Sequence, residues 1–456
     1  MENKNLTCHS RRSFLRMTGA GAATLAAVTC LPATLNAASV SAPEQQDKPP
    51  LPGTEPTELY YWTGWSGLEA DKLQELLYQF DEEHDDLYVT METVYNQYDW
   101  LWEKLAEGLP PDVVSAVWLQ QLVYMATYEA IQPITEFAAL DGVKMSDYFP
   151  AVWDSWLWDD DLWGMMITAN VKVLAYNPEL MTAADLDPAK LPTTLEELDA
   201  VIEALENFDD DGNITQTGLL PYDVQWWSRI FGGDFYDAKN NKITADSDEN
   251  VAAMEWVAGH SERLGLDKIE TFASNWGAYA SAENSFLTGQ EAMRQAGDWF
   301  VIFQEYFAPE APLSMFAAPS PKGGRENCTL MDGSIFTIPT DVPNAESSWE
   351  LIRWLNEDRN MSQFAYQIYN VPTKIALANN EELLEDDRYS TAVELLSSEN
   401  VFGPDKMPVS DYLAALLVEA ESNVVLGKAD AREALAEVSA LAQTQLDEIW
   451  PLNKDS

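Results

Sequence analysis

Cysteine and histidine are scarce in this chain of 456 residues, which has three of each. Cys8 and Cys30 lie in an N-terminal segment with the features of an export signal, so cleavage would leave Cys328 alone. An intramolecular disulfide is then excluded, and stability must come from a large hydrophobic core. We predict that Cys328 is buried and inert.

The shortage of histidine restricts the classes of enzyme that the chain could form. Beyond the export segment only His84, in an acidic turn, and His260, in a predicted helix, remain, and we predict that both are surface residues. With so few histidines, a His-based catalytic triad or a zinc cluster is disfavoured. A carboxylate pair for glycoside hydrolysis is not excluded, because such a pair is defined by separation in space.

Positive charge is also scarce, with 26 Lys and Arg against 76 Asp and Glu and a net charge of −50. This charge repels phosphate backbones and anionic lipids, so we expect no nucleic-acid partner and no membrane-surface partner. The acidic residues are scattered along the chain and do not form one tail, which predicts a solvated acidic surface on a globular protein.

The N-terminal segment has the pattern of a twin-arginine export signal. The run S-R-R-S-F-L-R at residues 10–16 is followed by a weakly apolar stretch at residues 17–33, which polar residues interrupt before it is long enough to span a membrane. We predict a signal peptide at residues 1–37, cleaved after Ala37. The alternative of a lipid anchor at Cys30 is disfavoured, because A-V-T before it is a poor lipoprotein signal.

Beyond the signal, residues 38–56 are rich in proline and polar residues and predict a flexible linker. Short β-rich runs at residues 59–62, 87–94 and 112–118 then alternate with amphipathic helices, which predicts βαβ units and a mainly parallel sheet.

A second α/β block begins near Met165. Within it we expect Thr194 to cap a helix that runs to Phe208, and Asp246 or Ser247 to cap the next one. A β-like run at residues 335–338 predicts a return to the first block, and residues 430–449 predict a terminal helix.

Aromatic and amide side chains recur where the first three predicted strands end, the edge at which α/β proteins bind ligands. Aromatic faces suit the C–H faces of a sugar ring, and amides and carboxylates suit its hydroxyl groups. The candidate ligand-binding residues here are Trp62, Trp65, Asn96, Tyr98, Trp118 and Gln120.

The second block offers further candidates beside glycines that allow backbone to approach a ligand. These are Trp226, Trp227, Trp276, Asp298 and Trp299. A separate stretch, with Asp209, Asp211 and Asn213, resembles half of a calcium loop, but Gly218 stands where a bidentate Glu is expected, so a plain Asp-Gly turn is favoured. We predict no metal site and no cofactor.

Several motifs in order resemble the family 1 extracellular solute-binding proteins, the sugar-binding components of ABC importers. The motifs are Y-W-T-G-W at 61–65, G-L-P-P-D-V-V at 108–114, L-A-Y-N-P-E-L at 174–180, L-P-T-T-L-E-E-L at 191–198, F-L-T-G-Q-E-A-M at 286–293 and G-D-W at 297–299. The resemblance implies an α/β fold of the type II, maltose-binding-protein-like class, with two lobes, a hinge and a ligand cleft between them.

By this resemblance, lobe one comprises residues 57–167 and 329–371, and lobe two comprises residues 168–328 and 372–456. It adds Asp332 and Ser334 to the candidate site. It implies a monomeric, non-enzymatic periplasmic or extracellular protein that captures a carbohydrate and delivers it to membrane permease subunits. The twin-arginine translocase, a route less common for the family, is expected as the export partner from the N-terminal signal and not from the resemblance. A binding protein for a polyamine or another solute, and a secreted carbohydrate-active enzyme, are the alternatives.

Overall fold

The computed structural model describes residues 56–94, 97–274 and 276–450, all within one unit of the chain, residues 53–456. The strands are β1 (Thr57–Thr63), β2 (Leu87–Thr93), β3 (Val113–Trp118), β4 (Ile131–Gln132), β5 (Leu157–Trp158), β6 (Asp161–Leu162), β7 (Thr168–Tyr176), β8 (Asn207–Phe208), β9 (Ile214–Gln216), β10 (Tyr236–Asp237), β11 (Lys242–Ile243), β12 (Met293–Gly297), β13 (Ser314–Phe316), β14 (Thr329–Asp332), β15 (Ser334–Pro339), β16 (Val371–Pro372) and β17 (Val401–Phe402).

Helices cover the faces of the sheets. They are α1 (Gly67–Glu83), α2 (Gln97–Glu107), α3 (Leu119–Thr127), α4 (Thr135–Leu140), α5 (Pro150–Ser155), α6 (Pro178–Ala183), α7 (Leu195–Ala204), α8 (Val224–Phe231), α9 (Asp248–Leu264), α10 (Leu266–Ala273), α11 (Phe300–Phe307), α12 (Ala345–Leu355), α13 (Asp358–Gln367), α14 (Ile375–Ala378), α15 (Asp387–Leu396), α16 (Ser410–Val425) and α17 (Ala431–Ile449), with short 3-10 turns at Met145–Asp147 and Leu383–Glu385.

The first sheet has five strands in the order β2-β1-β3-β15-β4. β1 is parallel to both β2 and β3, which confirms the predicted βαβ units at the start of the chain. β15 then returns antiparallel to β3, so that Ser334 lies opposite Trp118. The predicted return strand near residues 335–338 is therefore confirmed, although its direction is antiparallel.

The second sheet is built around β7, and its pairing is mainly antiparallel, unlike the parallel start that was predicted for the first sheet. β12, β13, β14 and β16 all pair with β7 in antiparallel fashion, and only β14 and β17 are parallel. These strands come from distant parts of the chain and are not joined by successive βαβ crossovers. The alternation that identifies parallel units is therefore absent from their sequence.

The predicted helix caps are mostly present. Thr194 accepts a hydrogen bond from the amide of Glu197 at 3.2 Å, and Ser247 accepts one from the amide of Asn250 at 3.3 Å. The helix after Thr194 ends at Ala204, short of the predicted end at Phe208, because β8 forms a hairpin with β9.

The core consists of one large cluster, which spans the first sheet and part of the second, and of smaller clusters in the rest of the chain. Cys328 is buried, as predicted, and burial raises the pKa of its thiol to about 12. His260 is also buried, edge-on against Trp256 and 3.2 Å from Asp199, so its prediction as a surface residue is wrong. His260 lies on the face of α9 that also buries Val251, Met254 and Val257.

The chain changes sheets twice near the predicted lobe boundaries. β7 begins at Thr168, where the second lobe was predicted to start, and Gly333 separates β14 in the second sheet from β15 in the first. A Cβ at Gly333 would lie 2.7 Å from Met166 Sδ and 3.0 Å from the carbonyl oxygen of Thr168, so the chain is closely packed at this crossing. No helix in the described part of the chain is both long enough and apolar enough to cross a membrane.

Two glycines near the second sheet, Gly218 and Gly259, differ in how closely they are packed. A Cβ at Gly218 would lie 2.1 Å from the carbonyl oxygen of Ile202, whereas a Cβ at Gly259, in α9, would have no neighbour within 4 Å. We expect Gly218→Ala to lower the free energy of unfolding by about 1–3 kcal/mol through overpacking. We expect Gly259→Ala to raise it by about 0.5–1 kcal/mol through helix propensity. Urea denaturation of both variants measures the difference, and equal stability would contradict this account of Gly218.

Candidate functional site

A cavity of about 570 Å³ lies where segments from the two sheets meet. The first sheet contributes the turn after β1 and the start of α3, and the second contributes β7, β14 and the turn after β12. α8, α16 and the segment after β17 complete the wall. The cavity thus joins parts of the chain more than 300 residues apart in sequence, from Gly64 to Ala414.

Four of the candidate ligand-binding residues line this cavity. They are Trp65, Gln120, Trp299 and Asp332, and each comes from a different element. The structure therefore brings together candidates from both predicted lobes at one place. Their contact with a ligand remains a prediction.

Three other candidates are core residues. Trp226 and Trp227 are 0% exposed; the indole of Trp226 donates to the carbonyl of Cys328 at 3.2 Å, and that of Trp227 donates to Gln295 at 3.0 Å. Trp62 is 8% exposed and packs in the first core cluster. Because none of the three lines the cavity, we correct their assignment from ligand contact to packing.

Trp276, Asp298 and Ser334 also lie off the cavity wall. Trp276 packs edge-on against Phe272, with ring centroids 5.7 Å apart. Asp298 and Ser334 are each 2% exposed; Asp298 accepts a hydrogen bond from the amide of Val171 at 3.2 Å, which ties the turn after β12 to β7. None of these three reaches the cavity, so a ligand contact for them stays a prediction.

The remaining candidates are not decided by the structure. Asn96 lies outside the described residues, and the side chains of Tyr98 in α2 and Trp118 at the end of β3 are likewise not described.

Trp299 provides the most accessible indole face of the cavity. Its ring packs against Gly297, where a Cβ would lie 1.9 Å from a ring carbon, so glycine at that position is a steric requirement. The indole nitrogen donates to the hydroxyl of Tyr279 at 3.1 Å, and Lys172 Nζ lies 5.7 Å from the ring centroid. Trp65, by contrast, is 7% exposed and packs against Phe336 and Phe364, so only an edge of it reaches the cavity.

Two polar residues on β7 line the cavity and were missed by the sequence analysis. Asn170 and Lys172 alternate with the fully buried Ala169, Val171 and Val173. Because side chains alternate across a strand, the polar pair shares one face and the apolar residues share the other. Polar residues at every second position of a strongly apolar strand were the signal that could have identified them.

A network of ions closes one side of the cavity. The guanidinium of Arg229 donates to both carboxylate oxygens of Asp405 at 2.8 Å and also pairs with Asp234, which Arg325 contacts at 3.0 Å. Phe402 packs on the guanidinium of Arg229, at 4.8 Å. This arrangement holds α8 against the segment after β17 and satisfies the buried charge of Arg229.

Three carboxyl groups of the cavity have pKa values raised by burial, and Asp405 is one of them. Burial raises the pKa of Glu69 to about 7. It raises that of Asp332 to about 6, although the amide of Gly333 at 2.8 Å and the charge of Lys172 oppose the shift. Lys172 Nζ also lies 3.5 Å from Asp223 Oδ2. The cavity therefore combines aromatic faces with carboxyl, amide and ammonium groups.

The calcium-like loop is held by its own side chains. Asp209 accepts hydrogen bonds from the amides of Asp211 and Asn213, at 3.0 and 2.8 Å, and from the side-chain amide of Asn213. The ammonium of Lys268 donates to the carbonyl of Gly212 at 2.8 Å. These bonds form an Asp-Gly turn with a cation beside it. Among the described residues, no group of three His, Cys, Asp or Glu side chains is arranged to hold a metal ion.

A model of the bacterial extracellular solute-binding protein family matches residues 75–389, more than half of the chain. The chain belongs to this family. A comparison of this solute-binding protein with curated proteins finds no match.

Solved structures show that the fold is the two-lobed, maltose-binding-protein-like α/β fold. The mannobiose-bound protein CpMnBP1 is 22% identical with a TM-score of 0.77, over 84% of this chain and 99% of that one. The substrate-binding protein Lmo0181 of Listeria monocytogenes, in complex with cycloalternan, is 17% identical with a TM-score of 0.72, over 86% and 99%. The sugar-binding protein MalE of Xanthomonas citri is 19% identical with a TM-score of 0.70, over 88% and 100%.

The raised pKa of Glu69 makes stability depend on pH. Glutamate in an unfolded chain has a pKa of about 4.3, below the value of about 7 in the folded protein. The folded state therefore binds this proton more tightly, and the cost of ionising Glu69 grows as pH rises from about 4 and is complete above about 7. We expect the free energy of unfolding of Glu69→Gln to exceed that of the parent protein by an amount that grows from pH 4 to pH 8.

Denaturation by urea at a series of pH values measures this difference in free energy. Glu437→Gln, at an exposed position on α17, is the matched control and should show no such trend. A constant difference between Glu69→Gln and the parent across that pH range would show that Glu69 ionises normally.

Proposed function

We propose that this solute-binding protein captures a carbohydrate by closing its two lobes and delivers it to the permease subunits of an ABC importer. The observation that carries the proposal is the cavity itself, in which the indole of Trp299 lies beside Gln120 and Asp332 from other elements. An aromatic face with hydrogen-bonding groups around it suits a sugar ring, whose C–H faces are apolar and whose edge is polar.

The proteins that share the fold support a carbohydrate ligand. CpMnBP1 is bound to mannobiose, Lmo0181 is in complex with cycloalternan, and MalE3 of T. maritima is bound to maltose. Identity to these proteins is 15–22%, so the choice of sugar is argued from this chain's own cavity.

Binding would work by a hinge between the lobes, which we keep at residues 57–167 with 329–371 and at residues 168–328 with 372–456. A ligand that touches residues after β1 and β3 together with residues on β7 and in the turn after β12 gains more contacts in the closed state, and so shifts the population toward it. A monomer suffices for this mechanism, because both sides of the cavity come from one chain.

The proposed location is the periplasm or the cell exterior, in keeping with an extracellular family. We propose that residues 1–37 direct export by the twin-arginine route and that residues 38–56 act as a linker; both segments lie outside the described residues except for Pro56. The proposed role is that of a binding protein and not of an enzyme, in keeping with a family of solute-binding proteins.

The role of Trp299 is tested by Trp299→Ala. We expect this change to weaken binding of the preferred sugar by about 10- to 100-fold, because roughly 1.5–3 kcal/mol of apolar contact is lost. Calorimetric titration with mannobiose, maltose and tagatose identifies the sugar and then measures both proteins.

Trp450→Ala is the matched control, since Trp450 is 37% exposed, packs on Trp158 and lies off the cavity. Affinity should be unchanged in this variant. If Trp299→Ala folds normally and binds as tightly as the control, the cavity is not the sugar site. Formation of a hydrolysis product would instead support the alternative of a carbohydrate-active enzyme.

A further inference from the structure

The charges around the cavity do not balance. Its lining carries four carboxyl groups and two basic groups. The acids are Glu69, Asp223, Asp332 and Asp405, and the bases are Lys172 and Arg229. A ligand can pair only with those charged groups that have no partner within the protein.

The positive charge of Arg229 is already paired with carboxylates of the protein and is not available to a ligand. Its guanidinium makes a two-point contact with Asp405 and a further ion pair with Asp234. The guanidinium is also covered by the rings of Phe235 and Phe402, at 5.4 and 4.8 Å. This group is therefore a structural clamp between α8 and the segment after β17.

Lys172 is the other cation of the lining, and two carboxylates compete for its positive charge. Its ammonium lies 3.5 Å from Asp223 and 5.7 Å from the centre of the Trp299 ring. It also attracts Asp332, yet burial outweighs this attraction and the pKa of Asp332 is still raised to about 6. One ammonium between two carboxylates leaves one negative charge without a partner.

Glu69 is the second carboxylate without a counter-ion. It lies in the first turn of α1, and no described residue forms an ion pair or a side-chain hydrogen bond with it. Burial is the cause of its raised pKa. A carboxylate removed from water without a cation is costly, and a ligand cation would offset that cost.

We propose that the carbohydrate bound here carries a protonated amine, that is, an amino sugar, with its ammonium group placed between Glu69 and Asp332 beside the indole of Trp299. This inference rests on the proposed function and adds the charge of the ligand to it. The indole supplies a face for the ring and attracts the cation. The same negative charge rejects sugars that bear carboxylate or phosphate groups.

An amino sugar fits the lining better than an open-chain polyamine does. Beyond the carboxylates, the wall carries the amides Gln120, Asn170 and Gln225, which match hydroxyl groups that a polyamine lacks. Asn170 already accepts a hydrogen bond from Asn370 at 2.6 Å, but a slender aliphatic chain would offer no partner to Gln120 or Gln225. Binding of spermidine is therefore a separate outcome of the test.

The experiment compares sugars that differ only at one substituent. Glucose, glucosamine and N-acetylglucosamine, with the corresponding galactose and mannose series, are titrated at pH 7 into the full-length mature protein by calorimetry. Glucuronic acid and spermidine complete the panel. We expect the free amine of at least one series to bind about tenfold more tightly than its hydroxyl parent, the size of one charge-assisted hydrogen bond.

Variants assign the preference to the two carboxylates. Glu69→Gln and Asp332→Asn should each reduce the ratio of amine affinity to hydroxyl affinity toward one, because an amide has no negative charge to attract an ammonium group. Glu437→Gln, on the exposed face of α17, should keep the parent ratio. Raising the salt concentration should weaken the amine more than the parent sugar.

The outcomes separate the two proposals. Equal or tighter binding of the neutral sugar overturns the amino-sugar inference and leaves carbohydrate capture standing, as does a preference that survives both variants. Tighter binding of spermidine than of every sugar overturns both proposals in favour of a polyamine ligand. Failure of every sugar and of spermidine to bind, with the protein folded by circular dichroism, also rejects both.

Discussion

Strand β7 is the centre of the second sheet and also forms part of the cavity wall. It is hydrogen-bonded along its length to β12, β13, β14 and β16, which come from four separate parts of the chain. One face of it is core, where Val171 and Val173 are fully buried, and the other face brings Asn170 and Lys172 to the cavity. Because one strand organises both, a change that disturbs its packing disturbs the site as well.

Tryptophan serves two purposes in this molecule, and position along the chain does not separate them. Trp226 and Trp227 pack with Trp256 behind the second sheet, with ring centroids of Trp227 and Trp256 4.2 Å apart. Trp299 instead keeps one face toward the cavity because Gly297 leaves room for its ring. Sequence motifs place both kinds of tryptophan near glycines, so only packing reveals which ring a ligand can reach.

The strong acidity of the chain is continued inside the cavity, where it has a different physical meaning. A carboxylate on the surface is stabilised by water, and its charge contributes little beyond solubility. Glu69 and Asp332 are partly removed from water, which raises the pKa of each and makes its charge available to a ligand. The clamp of Arg229 with Asp405 shows the contrasting case, in which a buried charge is matched within the protein.

Local pattern was enough to predict the βαβ start of the first sheet, the caps at Thr194 and Ser247, the terminal helix and the family, because each depends on residues close together in sequence. Local pattern did not predict the antiparallel pairing around β7, the burial of His260 or the place of Lys172 and Glu69 in the cavity. These depend on contacts between distant segments, and a single sequence does not state which of its many acidic and aromatic residues will face one another. The family and the charge of the protein could thus be predicted before folding was considered. The identity of the side chains that form the site could not, since accessibility and pairing of charge exist only once the chain is folded.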